Sequence, residues 1–294
     1  MNHLLSAVRV EYRKAFGKNS WLWITLAIGA FLAVLSSMSR AKLFSSTLEL
    51  ALVDWQRKDV GYSSVGAFAL WMPIRPDDFA PGVFRMVWPI LSALPYAWSW
   101  SVEKKAGIIE QSCVRSSKLD VIVAKWLAAF SAGFLAMAVP LATNLVCNAC
   151  IEPAMPVWVS DELYIGVTWQ AAFSSLFYTN PLAFCLLWTL VAGVIGGLWS
   201  TFVSALSMCL GSFLPSMAIS YVSLHVLAFV GEQLQLVFQV SSDSALSSLL
   251  SLDIFSTISV RSQTGSGEAL LVTATLLLAF SVVVPLMISK RDLL

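Results

Sequence analysis

Long windows without a single Asp, Glu, Lys or Arg constrain this chain more than any other feature. They run over 21–39, 86–102, 126–151, 163–231 and 269–289. A bilayer core of ~30 Å takes roughly 20 apolar residues in a helix, because each residue rises ~1.5 Å and backbone polar groups in hydrocarbon must pair within the segment. The composition agrees, with 58% hydrophobic and only 12% charged residues, against about 25% charged in a soluble domain. Too little polar surface is left to cover a soluble globule of this size. A formal charge of +1 argues against a nucleic-acid binder, which needs a basic face. The expectation is an all-α polytopic membrane protein, a single transmembrane domain over 1–294 in the lipid bilayer.

The window 163–231 is too long for one crossing. Asn180-Pro181 and the stretch from Gly211 to Pro215 break it, because proline removes a helix donor and glycine weakens the helix. Residues 163–179 place Ile165, Trp169, Ala172, Phe173 and Phe177 at helical spacing, either as a seventh span or as a surface or re-entrant helix. Parity decides between these. Arg9, Arg13, Lys14 and Lys18 near the start and Lys290 and Arg291 near the end hold both termini in the cytoplasm, which requires an even number of spans. Six are expected: 21–39, 86–102, 121–150, 181–210, 213–231 and 269–289. Residues 163–179 then lie at the outer interface. Eleven of the 18 basic residues fall on the inner side of this topology. Trp21, Trp23, Trp98, Trp100 and Trp126 cluster at inner span ends, and Trp88 and Trp158 at outer ones, as interfacial aromatics do. Residues 1–20 read as a cytoplasmic interfacial helix with no cleavable leader: Leu4, Leu5, Val8, Tyr12, Ala15 and Phe16 share a stripe, with His3, Ser6, Arg9, Arg13, Lys14 and Lys18 largely opposite.

The segment 101–125, SVEKKAGIIEQSCVRSSKLDVIVAK, is the one sizeable inner loop of this topology. Glu103, Gly107 and Glu110 stand at i, i+4 and i+7, one face if the segment is helical. With Lys104, Arg115 and Lys118 they make a charged docking element; the other reading is a solvated turn that fixes topology. The fourth span carries small residues four apart, Ala192, Gly196, Ser200 and Ser204, beside Gly193, Gly197, Thr201 and Ala205. Such rows let helix backbones approach closely in lipid, either within the chain or along a cavity or subunit seam. Two long outer loops remain, 40–85 and 232–268, amphipathic in places and suited to covering an exit path or to lying at the interface.

Little in the spans can do covalent chemistry. The only histidines are His3 and His225, and no H-E-x-x-H pair, paired glutamates or G-x-x-x-x-G-K-[ST] loop occurs. His225, an ionisable group within a span, is either a hydrogen-bonded helix residue or a substrate contact. Cys147 and Cys150 form a C-x-x-C without further metal ligands nearby; they pack as small apolar side chains or form a disulfide. No metal site, and no cofactor held by this chain, is expected.

The layout of amphipathic N-terminal helix, first span, long outer loop and a second span entering E-x-x-x-G-x-x-E (Glu103, Gly107, Glu110), then Ser117-Lys118 and Lys125 at the third span, resembles the permease subunits of type-2 ATP-binding-cassette exporters. Those serving bacitracin and lantibiotic resistance are included in the likeness. The family usually has threonine after the glycine and a proline before the small-basic pair; here Ile108 follows and the proline is missing. The resemblance implies a six-span half-channel in the cytoplasmic membrane of a bacterium. It implies pairing with a second permease, identical or paralogous, and with cytoplasmic ATPase subunits that bind ATP and Mg. Glu103 to Lys118 would meet the ATPase, residues 233–260 would form an outer gate, and the cargo would be an amphipathic or hydrophobic compound such as a peptide antibiotic. Two other functions stay open: a scaffold or sensor that binds a ligand outside and recruits a partner inside, and an intramembrane enzyme using His225 with Ser223 or a cysteine.

Overall fold

The computed structural model describes residues 2–17, 19–55, 66–76, 78–157, 159, 165–168, 171–237, 258–260 and 267–289, and among them every regular element is helical. The helices are α1 (Asn2–Tyr12), α2 (Ser20–Trp55), α3 (Phe79–Ala93), α4 (Ser99–Lys105), α5 (Ile108–Arg115), α6 (Lys118–Ile151), α7 (Ser174–Thr179), α8 (Pro181–Leu210), α9 (Phe213–Val237) and α10 (Gly267–Ser289). A π-helical turn, Arg13–Gly17, links α1 towards α2.

Five helices have the length and apolar character of membrane crossings: Ser20–Ser39, Lys118–Ile151, Pro181–Leu210, Phe213–Gly231 and Leu270–Ser289. Their ends follow the local chemistry. The Ser117 hydroxyl caps α6 by accepting from the Asp120 N–H at 3.1 Å, an N-cap contact that satisfies a free helix donor. Asn180 does the same for α8, with Pro181 in the first turn. Gly211, at φ +68°, ends α8 in the left-handed conformation that glycine adopts without strain.

The expected span over 86–102 is not one helix. The helix starts earlier, at Phe79 within the expected outer loop, and ends at Ala93; turns over 94–98 lead into α4. Pro95 supplies the reason, because it has no N–H to offer the Leu91 carbonyl, and its own carbonyl accepts the side-chain N–H of Asn19. The helix expected to end at 39 instead continues as α2 to Trp55.

The core lies between α6 and α8. Most of the crossing windows of these two helices is buried, against 17% of those of α9 and α10, whose Leu214, Phe229, Leu271 and Leu276 point outward. Close approach rests on glycine. A Cβ on Gly133 of α6 would come within 2.6 Å of the Gly196 carbonyl oxygen and of Ser200 Cβ, and one on Gly197 would meet Phe130 at 2.8 Å. The small-residue face of α8 is thus packed inside the chain. Gly29 plays the same part between α2 and Pro140 of α6.

At the far end of α6 a stretch expected outside the bundle is buried within it. Residues 66–74 are all buried. Trp71 Nε1–H donates to the Leu141 carbonyl at 3.1 Å, the Met72 N–H donates to Asn144 Oδ1 at 2.9 Å, and Asn148 Nδ2 donates to the Leu70 carbonyl at 3.1 Å. Asn144 and Asn148 also reach Ser37 of α2, so two asparagines one helical turn apart satisfy a backbone that carries no regular ladder of its own. The short stretch 258–260 completes this layer: the Val260 N–H donates to the Pro73 carbonyl at 2.9 Å and Trp188 Nε1–H to the Ile258 carbonyl at 3.0 Å. Of the segment 163–179, Ile165, Val167 and Phe177 are also buried in the core. Residues 238–257 of the expected outer gate, and Lys290 and Arg291, lie outside the described residues.

Candidate functional site

A charged side chain buried in an apolar setting needs an opposite charge beside it. Lys125, in the apolar run VIVAKWLAAF, is 2% exposed, and its ammonium sits 3.0 Å from Glu11 Oε2 and 2.7 Å from Glu103 Oε2. Lys14 closes the arrangement at 3.0 Å from Glu11 Oε1 and 3.0 Å from Glu103 Oε1. Two carboxylates and two ammoniums alternate, so the cluster is charge-balanced. Tyr96, in the turn between α3 and α4, donates its hydroxyl to Glu11.

Each member comes from a different part of the chain. Glu11 lies on α1, Lys14 on the π-helical turn, Glu103 on α4 and Lys125 on α6. Tyr12 of α1 adds a hydrogen bond of 2.5 Å to Ser131 of α6. The position of α1 held most closely against the bundle is thus charged, while Leu5 and Val10 of the same helix stay exposed. An open groove of about 260 Å³ between α1 and the α5–α6 corner, lined by His3, Ser6, Ser112 and Ser116, reaches Glu11 and Lys14 from solvent.

Burial raises the Glu11 carboxyl, but the Lys125 charge and hydrogen bonds from Tyr96, Lys125 and Lys14 outweigh it and hold this group below the ordinary value of 4.5. For Lys14, burial lowers the ammonium, and contacts with Glu103 and Glu11 reverse that, holding it above 10.5. A depressed carboxyl stabilises the fold above its unfolded value and loses that contribution as pH falls through the folded one; a raised ammonium does so as pH rises through its folded value. Docking of α1 is therefore expected to be constant across the neutral range and to weaken in acid below 4.5. A spin label at the exposed position 9 in a cysteine-free background should be less mobile at neutral pH than in that acid range. Unchanged mobility well into acid would remove the Glu11 carboxylate from the docking contact.

The other residues singled out from the sequence take varied places. Glu103 is buried in the cluster. Lys104 and Glu110 are exposed. Gly107, at φ +69°, separates α4 from α5, so Glu103 and Glu110 do not share one helical face. Arg115 ends α5, and its side chain lies outside the described residues. Lys118 Nζ donates to the Ile288 carbonyl at 3.0 Å, a cation at the C-terminal end of α10, where the helix dipole favours positive charge. Gly193, Gly196, Gly197, Ser200 and Ser204 lie against α6 or are buried in α8. His225 stands on the exposed side of α9, edge-on to the Tyr221 ring at 5.0 Å.

Glu11 and Tyr96 escaped the sequence reading, and Lys125 was marked there only through the family pattern. A signal existed for one of them: a lone lysine inside an apolar helix must be paired, though nothing in sequence names a partner 114 positions away. Comparison with protein-family models, with curated proteins and with solved structures gives no match.

Proposed function

We propose that this chain is the membrane-spanning permease subunit of an ATP-driven exporter in a bacterial cytoplasmic membrane. It has no ATP-binding loop of its own and works with a cytoplasmic ATPase subunit and a second permease, moving an amphipathic or hydrophobic compound such as a peptide antibiotic. The observation that carries the reading is the charged α4–α5 hairpin, exposed along much of α5 and seated through Glu103 on Lys14 of the turn after α1 and on the buried Lys125 of the long core helix α6. A surface loop that only fixed topology would need no such seat.

Six crossings follow if α3 and α4 serve together as the second one. Fifteen residues of α3 and seven of α4 rise about 33 Å at 1.5 Å each, enough for a ~30 Å core. The N-terminal helix α1, the α4–α5 hairpin and the last turn of α10, which Lys118 touches, then share the cytoplasmic side. ATP-driven closure of the ATPase pair would press on the hairpin, and different contacts in the two states would shift the spans.

The first test is to tag the chain after Leu294, purify it from native membranes in mild detergent and quantify what accompanies it. A stoichiometric ATP-binding-cassette subunit is expected; its absence under conditions that keep other membrane complexes whole would favour the scaffold or sensor function. The second test is Glu110→Lys. Glu110 is exposed and outside the ion cluster, so reversal should leave the amount of inserted protein unchanged and reduce coupled transport at least ~10-fold, the scale of a lost interfacial charge contact. Normal transport in that variant would remove Glu110 from the coupling contact.

A further inference from the structure

We infer that Glu11 and Lys125 are positioning residues of a charge-balanced clasp that makes α1, the α4 end of the hairpin and the first turns of α6 one mechanical unit. Three observations meet here. The clasp has one member each on α1, the π-helical turn, α4 and α6, closed into a ring: Lys125 bonds both carboxylates, and each carboxylate bonds both lysines. Its surroundings are dry on the α6 side, with Lys125 at 2% exposure, so losing one charge leaves an uncompensated partner rather than a solvated one. Finally, α1 keeps Leu5 and Val10 exposed while burying Glu11, and the apolar contact beside it, Tyr12, Ala15 and Phe16 with Tyr96, Ala128, Ala129 and Ala132, joins the same parts of the chain. A load on the exposed surface of α5 or α1 is then passed into α6, which carries the core contact with α8, and is not absorbed by the hairpin.

Hydrogen exchange on the detergent-purified full chain tests the clasp directly. In the wild type, residues 2–17, 99–105 and 118–125 should open together as one cooperative unit. Lys125→Met should speed exchange in all three segments by roughly 10²-fold or more, as expected when one partner leaves a buried pair, with α8 unchanged as the internal control for folding. The double variant Glu11→Gln/Lys125→Met leaves Lys14 and Glu103 as a balanced pair and should regain protection over 2–17 and 99–105 relative to Lys125→Met, a non-additivity that independent sites do not show, while 118–125, left without a clasp bond, stays fast. Should Lys125→Met fail to fold, Glu11→Gln alone carries the test, and α1 and α4 must open together. Faster exchange confined to 118–125, or a double variant no better than Lys125→Met, would overturn the clasp. Its consequence for transport rests on the permease reading. If exchange behaves as expected and no ATPase accompanies the purified chain, the clasp stands and that reading falls.

Discussion

Gly133→Ala is expected to destabilise the chain by about 3 kcal/mol or more, the upper end of what overpacking a core imposes. The new Cβ would lie 2.6 Å from the Gly196 carbonyl oxygen, 2.6 Å from Ser200 Cβ and 3.1 Å from the Ser92 carbonyl oxygen. Two of these three neighbours are backbone atoms, on α8 and α3, so no rotamer change relieves the contact and whole helices must separate. Separation loses close contact along the most deeply buried surface of the molecule. Gly211→Ala is the control: nothing lies within 4 Å of its Cβ, and the difficulty there is only the left-handed φ of +68°, worth about 1 kcal/mol. Thermal unfolding in detergent should place Gly133→Ala well below Gly211→Ala. Equal melting temperatures would show that α6 and α8 are not held as closely as the geometry requires.

The second large effect is expected at Asn144→Leu. The side chains are similar in volume, so packing is largely kept and the loss is one of hydrogen bonding. Asn144 accepts from the Met72 N–H at 2.9 Å and donates to the Ala33 carbonyl and to Ser37 Oγ, each at 3.0 Å. Leucine leaves the buried Met72 N–H without its acceptor and deprives Asn148 of a neighbour at 3.3 Å. Each buried polar group left unmade costs about 1–3 kcal/mol, which gives about 2–4 kcal/mol for the site. The damage should fall on residues 66–76, which lose hydrogen-exchange protection while α8 keeps its own. Protection unchanged over 66–76 would mean that apolar burial of Trp71 and its neighbours holds this segment without the asparagines.

Both expectations rest on positions whose type was visible in the sequence and whose partners were not. The small-residue row of α8 could be read from its spacing of four, since a helix repeats its faces with a fixed period. That its partner is Gly133 of the same chain depends on which helix lies alongside, a long-range matter that periodicity does not encode. Asn144 and Asn148, one turn apart in an apolar window, needed polar partners, and the sequence contained many candidates. The charged hairpin shows the same division from the other side. Glu103, Gly107 and Glu110 have helical spacing, yet Gly107 takes a positive φ, breaks the helix, and sends one carboxylate inward and the other to the surface.

The sequence by itself determined the all-helical class, the apolar windows and the breaks at Asn180-Pro181 and Gly211, because pairing the backbone polar groups within an apolar segment and the missing proline donor are local demands that each segment meets alone. Tertiary structure alone decided that residues 66–74 fold into the bundle, that the second apolar window is broken into two helices around Pro95, and that Glu11, Lys14, Glu103 and Lys125 meet. Those outcomes turn on which polar groups find partners across distant parts of the chain, and a buried charge or backbone amide accepts whichever complementary group the packing of helices brings within reach.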